Sequence, residues 1–121
     1  MMLESNFYSI EKIESSDEKI AASIFIDEKH SIFKGHFPSM PIVPGVCMMQ
    51  IVKEVFEKIA GRKLFLHKAS QVKFLALIEP QKVNSLDLMI SYKRIDENKF
   101  NLSAELNKEG KSYFKIKAIY S

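Results

Sequence analysis

The sequence predicts an α+β domain in which a curved antiparallel sheet wraps around one long central helix. Two observations predict it. A single stretch, from about Pro44 to Ile59, carries helix signals and is apolar nearly all round in its first half, whereas almost every other segment alternates apolar and polar residues with period two. A helix buried on all sides, with strands before it and a meander after it, packs most simply with the sheet curled around it. With 121 residues and 46% hydrophobic content, the chain holds material for one core, and residues 1–121 are expected to form one domain without repeat or linker.

The helix has start and stop signals. Pro44 is a favoured first helical residue, because its missing N–H would be unpaired there anyway. Gly61 follows Ala60, with Arg62 and Lys63 beyond it near the negative end of the helix dipole. Between them, Val46 to Val52 is interrupted only by Gln50, and then Lys53, Glu54, Glu57 and Lys58 appear. The first half is therefore expected to be buried and the second half to reach water, with Glu54 solvated. Met48 and Met49 fall in the buried half and are expected in the core.

Strand patterns fill the rest. Ile20, Ala22, Ile24 and Ile26 mark an early strand, and Phe7 to Ile13 a weaker one before it. Leu64 to Ile78 reads as a long strand or a bent pair, stopped by Glu79-Pro80. Three plainer strands follow, with Leu86, Leu88, Ile90 and Tyr92 on one face, then Phe100, Leu102, Ala104 and Leu106, then Phe114, Ile116, Ala118 and Tyr120. Their alternates, among them Asn101, Ser103, Glu105, Lys115 and Lys117, are polar, the pattern of an antiparallel sheet with one dry face. Residues 96–99 and 107–110 supply turns.

Composition narrows the function classes. The net charge is +3, with 18 Lys and Arg spread among 15 acidic residues, so no basic block suggests nucleic-acid binding. The one cysteine, Cys47, lies among apolar neighbours and reads as a buried thiol, which suits a reducing compartment. No basic-then-apolar leader opens the sequence, and no apolar run approaches the roughly 20 residues of a membrane helix. A soluble cytoplasmic protein without membrane association is expected.

The most constrained stretch is Gly35-His36-Phe37-Pro38-Ser39-Met40-Pro41-Ile42-Val43-Pro44-Gly45. Its three prolines fix φ at three points, so His36 sits on a stiff, non-helical lead-in to the helix. At the helix start the first N–H groups lack intrahelical partners and carry the positive dipole end, and a glycine there lets a ligand oxygen approach the backbone. His36 and Gly45 could thus flank one small polar ligand. His30 and His67 have no partner at metal-ligand spacing, and no metal site is expected.

Gly35-His36-Phe37-Pro38, Pro41 and Pro44-Gly45-Val46 resemble the signature of the hot-dog-fold 3-hydroxyacyl-(acyl carrier protein) dehydratases of fatty acid synthesis. The likeness extends to the strand order across nearly the whole chain and to Val72-Lys73-Phe74 through Pro80, although the family's Pro-Gly-Asp is replaced by Pro80-Gln81-Lys82. It implies a thioester substrate on the phosphopantetheine arm of acyl carrier protein, no other cofactor, and a tunnel at a dimer interface. His36 is implied as the base that removes a proton from C2, and the Gly45 amide as the group that polarises the thioester carbonyl. Phe37, Val46 and Phe74 are implied to contact the acyl substrate.

One position departs from the resemblance. Where the family carries an aspartate or glutamate, fourteen residues after the histidine, this chain has Gln50, which exchanges hydrogen bonds but supplies no proton at pH 7. Loss of general acid help lowers a rate on the order of 100- to 10,000-fold. The resemblance therefore leaves three functions in view: a dehydratase with an altered acid position, a weak or silent acyl-carrier-binding subunit that pairs with an active homologue, and a thioesterase, against which the His-Phe-Pro lead-in speaks. Lys34, Lys53, Lys58, Arg62, Lys63 and Lys73 are candidates for a landing surface for an acidic carrier protein.

Overall fold

Alternate side chains along the strands turn to one side, and that side packs on a helix. The computed structural model describes residues 3–35 and 41–121. Among them are six strands and one α-helix: β1 (Tyr8–Ser16), β2 (Lys19–Ile26), α1 (Gly45–Ala60), β3 (Leu66–Phe74), β4 (Ser85–Arg94), β5 (Phe100–Lys108) and β6 (Lys111–Tyr120). The strands form one sheet in the order β1-β2-β4-β5-β6-β3, with every neighbouring pair antiparallel. This is the expected sheet around a central helix, the hot-dog arrangement.

The inner face is the one the alternation marked. Ile20, Ala22, Ile24 and Ile26 of β2, Leu86, Leu88 and Ile90 of β4, Leu102, Ala104 and Leu106 of β5, and Phe114, Ile116 and Ala118 of β6 are all buried. Against them α1 buries Cys47, Met48, Ile51, Val52, Glu54, Val55 and Phe56. Phe56 anchors the helix to three strands at once, its ring 5.0 Å from Tyr92, 5.2 Å from Phe100 and 6.4 Å from Tyr120. Aromatic pairs at such separations add to the area they bury.

The helix ends as its sequence predicts. Gly61 adopts φ 74°, a left-handed conformation that costs a residue with a Cβ, and its N–H donates to the Glu57 carbonyl at 2.8 Å. Its start differs by one residue. Pro44 stands just outside the helix in extended conformation, and its carbonyl accepts the N–H groups of Cys47 and Met48, so Gly45 is the first helical residue.

Two strand expectations are corrected as well. The Leu64 to Ile78 stretch is a strand only from Leu66 to Phe74, with register shifts between Leu66 and Lys68 and between Ala69 and Gln71. Leu64 and Ile78 are fully buried outside it, because the chain turns inward at both ends to place them in the core. The weaker first strand begins at Tyr8 and runs on to Ser16, held by its pairing with β2 on both sides of a register shift between Ile10 and Lys12.

Both tight hairpins need positive φ. Glu109 and Gly110 adopt 50° and 83° between paired Lys108 and Lys111, and a glycine serves one of the two positions. The β1–β2 turn instead puts Asp17 and Glu18 at 49° and 64° between paired Ser16 and Lys19. Glu18 there is strained, since left-handed backbone costs a residue with a Cβ roughly 1 kcal/mol or more. Replacing Asp17-Glu18 by Asn-Gly is expected to stabilise the fold by about 1 kcal/mol, read as a raised urea midpoint with unchanged slope.

Candidate functional site

The helix start is built from Pro44 and Gly45. With Pro44 accepting hydrogen bonds from the next turn, the N–H groups of Gly45 and Val46 lie at the positive end of the helix dipole without intrahelical acceptors. Glycine at this position has a steric reason. A Cβ on Gly45 would stand 2.8 Å from Cε1 and Cζ of Phe74, closer than carbon atoms approach. The Phe74 ring is wedged between Gly45 and Phe114, whose ring centre is 5.2 Å away.

A cavity of about 520 Å³ opens beside this contact. It is lined by Ile42, Val43, Met48, Phe74, Leu75, Ala76 and Leu77 around Gly45. Its wall is tied together by the Val43 N–H donating to the Ile78 carbonyl at 2.9 Å and the Leu75 N–H donating to the Tyr113 carbonyl at 2.9 Å. Apolar walls ending at bare helix amides suit a ligand with an aliphatic tail and a polar or developing-anion head.

Gln50 lies elsewhere on the helix. It borders a second groove of about 350 Å³ with Val46, Met49, Lys53, Phe65 and Leu66. Among the described residues the predicted site residues therefore fall into two groups within one protomer: Gly45 and Phe74 meet at the first cavity, and Val46 and Gln50 share the second groove. His36 and Phe37 lie outside the described residues. Met48 is buried as expected, while Met49 is only partly so and borders the groove.

Glu54 corrects the sequence reading outright. Its side chain is not solvated but 5% exposed, and it accepts four hydrogen bonds. The donors are the Leu3 N–H at 2.8 Å, the Glu4 N–H at 2.9 Å, the Tyr8 hydroxyl at 3.0 Å and Gln50 Nε2 at 2.7 Å. The N-terminal residues up to Tyr8 pack against the second half of the helix and supply three of these donors, which is why a charge survives inside. Glu4 adds an ion pair with Lys58 at 2.9 Å across the same junction. Glu57 is also engaged, accepting the Leu64 N–H at 2.7 Å.

A signal for Glu54 was present in the sequence. It falls seven residues after Cys47 and three after Ile51, in the same stripe that faces the core. Its charged neighbours Lys53, Glu57 and Lys58 obscured this. The tyrosines show the same burial: that of Tyr8, reinforced by Glu54, pushes its hydroxyl well above the ordinary range, and that of Tyr120, with Glu57 adding to it, pushes its hydroxyl up to about 12. Cys47 is a buried thiol as expected, with its pKa raised by desolvation. His30 caps the 3-10 turn at Ser31–Lys34, its Nδ1 accepting the Ile32 N–H at 3.0 Å.

The model of the ApeI-like family, described as ApeI dehydratase, matches residues 12–116. The chain belongs to the ApeI-like dehydratase family. A FabZ 3-hydroxyacyl-(acyl-carrier-protein) dehydratase of Rhizorhabdus wittichii is 28% identical over 106 residues, covering 80% of this chain and 62% of that protein. One from Lactiplantibacillus plantarum is 27% identical over 84 residues, covering 64% of this chain and 57% of its own length. This ApeI-like chain thus spans about six-tenths of the length of these curated relatives. Among solved structures, the dehydratase heterocomplex ApeI:P from Xenorhabdus doucetiae superposes with TM-score 0.73 at 20% identity, covering 92% of this chain and 95% of that one. A mutant thioesterase from Pseudomonas aeruginosa superposes with TM-score 0.64 at 12% identity, covering 92% of this chain and 78% of the other, a likeness of fold alone.

Two measurements check this geometry. Glu54→Ala leaves four donors without their acceptor and is expected to cost about 3 kcal/mol or more in urea unfolding. In an alkaline titration followed by tyrosinate absorbance, Tyr8 and Tyr120 should ionise late. Their folded pKa values exceed the ordinary 10.0, so the stability they contribute is complete below pH 10 and is lost as pH rises toward about 12. Alkaline unfolding is expected to begin in that window.

Proposed function

We propose that this ApeI-like chain dehydrates 3-hydroxyacyl thioesters carried on acyl carrier protein to trans-2-enoyl thioesters, in the cytoplasm. The observation that carries this reading is the apolar cavity that ends at the Gly45 amide, at the far end of the His36 motif. Family membership supports it, as do the dehydratase names of the curated relatives. In the proposed step neutral His36 takes the proton from C2, and the electron pair moves toward the thioester carbonyl. The charge developing on that oxygen is met by the Gly45 amide and the helix dipole. The C3–O bond then breaks, and the proton held by His36 leaves with the hydroxyl as water, a route that asks no proton of Gln50.

The two groups of site residues found apart in one protomer favour a dimer. β3 is an edge strand, paired with β6 on one side, and Phe65, Leu66, Val72, Phe74, Leu75 and Leu77 on it and beside it are exposed. We infer that a second copy, or a related dehydratase, adds along β3 and brings one protomer's Gln50 toward the other's His36 motif. Of the candidate landing surface, Lys58 is paired with Glu4, Arg62 stacks 5.4 Å over Phe100 and Lys53 stacks 5.7 Å over Phe65. Lys34, Lys63 and Lys73 are the cations proposed to meet the acidic carrier.

Gln50 favours a second reading, a silent subunit that binds acyl carriers beside an active partner. Purified protein given 3-hydroxyacyl-carrier substrates of several lengths separates the readings by mass spectrometry. Enoyl product, falling about 100-fold or more in His36→Ala, supports the dehydratase. Binding without product supports the silent subunit, and free acid without enoyl product supports a thioesterase. Sedimentation is expected to give twice the protomer mass, and Val72→Lys on β3 to shift it toward the monomer.

A further inference from the structure

Glu54 is a buried charged side chain that the proposed step leaves unused. Each of its oxygens accepts two hydrogen bonds: Oε1 from the Glu4 N–H and the Tyr8 hydroxyl, Oε2 from the Leu3 N–H and Gln50 Nε2. A carboxylate in this arrangement only accepts, so the nitrogen end of the Gln50 amide must face it and the oxygen end must turn away. Three of the four donors belong to the N-terminal segment and do not move with Gln50. The carboxylate is therefore a fixed reference against which the amide is oriented.

We propose that Glu54 is a positioning residue for Gln50, holding the amide nitrogen so that the carbonyl oxygen is what Gln50 offers to the substrate hydroxyl. The proposal rests on the dehydratase reading of the site. On this view the polar half of the site is the pair, and position 50 cannot be judged alone. A substrate hydroxyl donates to the Gln50 oxygen, which holds the C3–O bond for departure while the proton returns from His36.

The pair makes a counter-intuitive prediction about restoring an acid. Gln50→Glu alone places a second carboxylate where a 2.7 Å hydrogen bond stood. Two carboxylates so close share one proton, so the change adds a repulsion before it adds an acid. The exchange Gln50→Glu with Glu54→Gln keeps one charge and one amide in contact and reverses the bond between them, with the amide now at position 54 donating to the carboxylate now at position 50 and giving up the bond accepted from the Leu3 N–H. Only the exchange turns an ionisable group toward the substrate without a like-charged neighbour.

The test compares wild type, Glu54→Gln, Gln50→Glu and the exchange by kcat and KM on a 3-hydroxyacyl-carrier substrate, with folding followed by circular dichroism. Glu54→Gln is expected to lower kcat about 10- to 100-fold with KM little changed, since the amide loses its fixed orientation while the apolar cavity stays. Gln50→Glu should not raise kcat, and the exchange should restore it to the wild-type level or above. Unchanged kcat in Glu54→Gln, or a rise in Gln50→Glu that the exchange does not match, overturns the proposal. A second readout is independent of turnover. The side-chain NH₂ resonances of Gln50 should show a strongly hydrogen-bonded proton in wild type whose shift is lost in Glu54→Ala. Resonances like those of a solvated glutamine in wild type would overturn the pairing even in an active enzyme. If wild type turns over no substrate but shows the bonded amide, the dehydratase reading fails and the orientation of Gln50 stands.

Discussion

A helix enclosed by a sheet has only its ends and one strip of its side open to water. That enclosure governs everything else in the molecule. It requires α1 to be apolar nearly all round where β2, β4, β5 and β6 cover it, and it leaves few places where polar chemistry can occur. One is the N-terminus, where the Gly45 and Val46 amides are bare by the geometry of any helix. Another is the strip carrying Val46, Met49, Gln50 and Lys53. The candidate site uses both.

The same enclosure explains Glu54. A carboxylate inside such a core persists only where donors meet it, and a helix cannot supply them from its own backbone mid-length. The chain leading into β1 does so, laying the Leu3 and Glu4 amides and the hydroxyl of Tyr8, the first residue of β1, against the second half of the helix. A segment that looks like a loose lead-in is thereby part of the core. The close fit of Phe74 on Gly45 is the counterpart at the other end, where a missing side chain lets an aromatic ring form a cavity wall.

Strands β2, β4, β5 and β6 were legible because each carries its full alternation and buries the face that its period marks. The stop of α1 was legible through Gly61, and its start was missed by one residue because Pro44 suits both the first helical position and the position before it. The long Leu64 to Ile78 pattern hid the fact that its terminal apolar residues are buried by turning inward rather than by strand pairing. At the site, Gly45 after Pro44 announced bare amides and the resemblance named Phe74 as a substrate contact, but nothing in the spacing showed that the two touch. Glu54 was misplaced because charged neighbours at 53, 57 and 58 suggested water, while its seven-residue spacing from Cys47 placed it toward the core. Three of its four donors lie some fifty residues away in sequence, beyond the reach of any local pattern.

The position of β3 bears on how the chain reaches this structure. β3 ends at Phe74, yet the strand that receives its hydrogen bonds begins at Lys111. During synthesis, β3 and the aromatic and aliphatic groups beside it must therefore wait, unpaired, while β4 and β5 are made. Closing that pair requires a long loop of chain to be ordered first, an entropic cost that is met before the pairing rewards it. The lysines at 68 and 73 on β3 then have a role during the wait, since charge on an unpaired strand discourages it from pairing with another nascent chain.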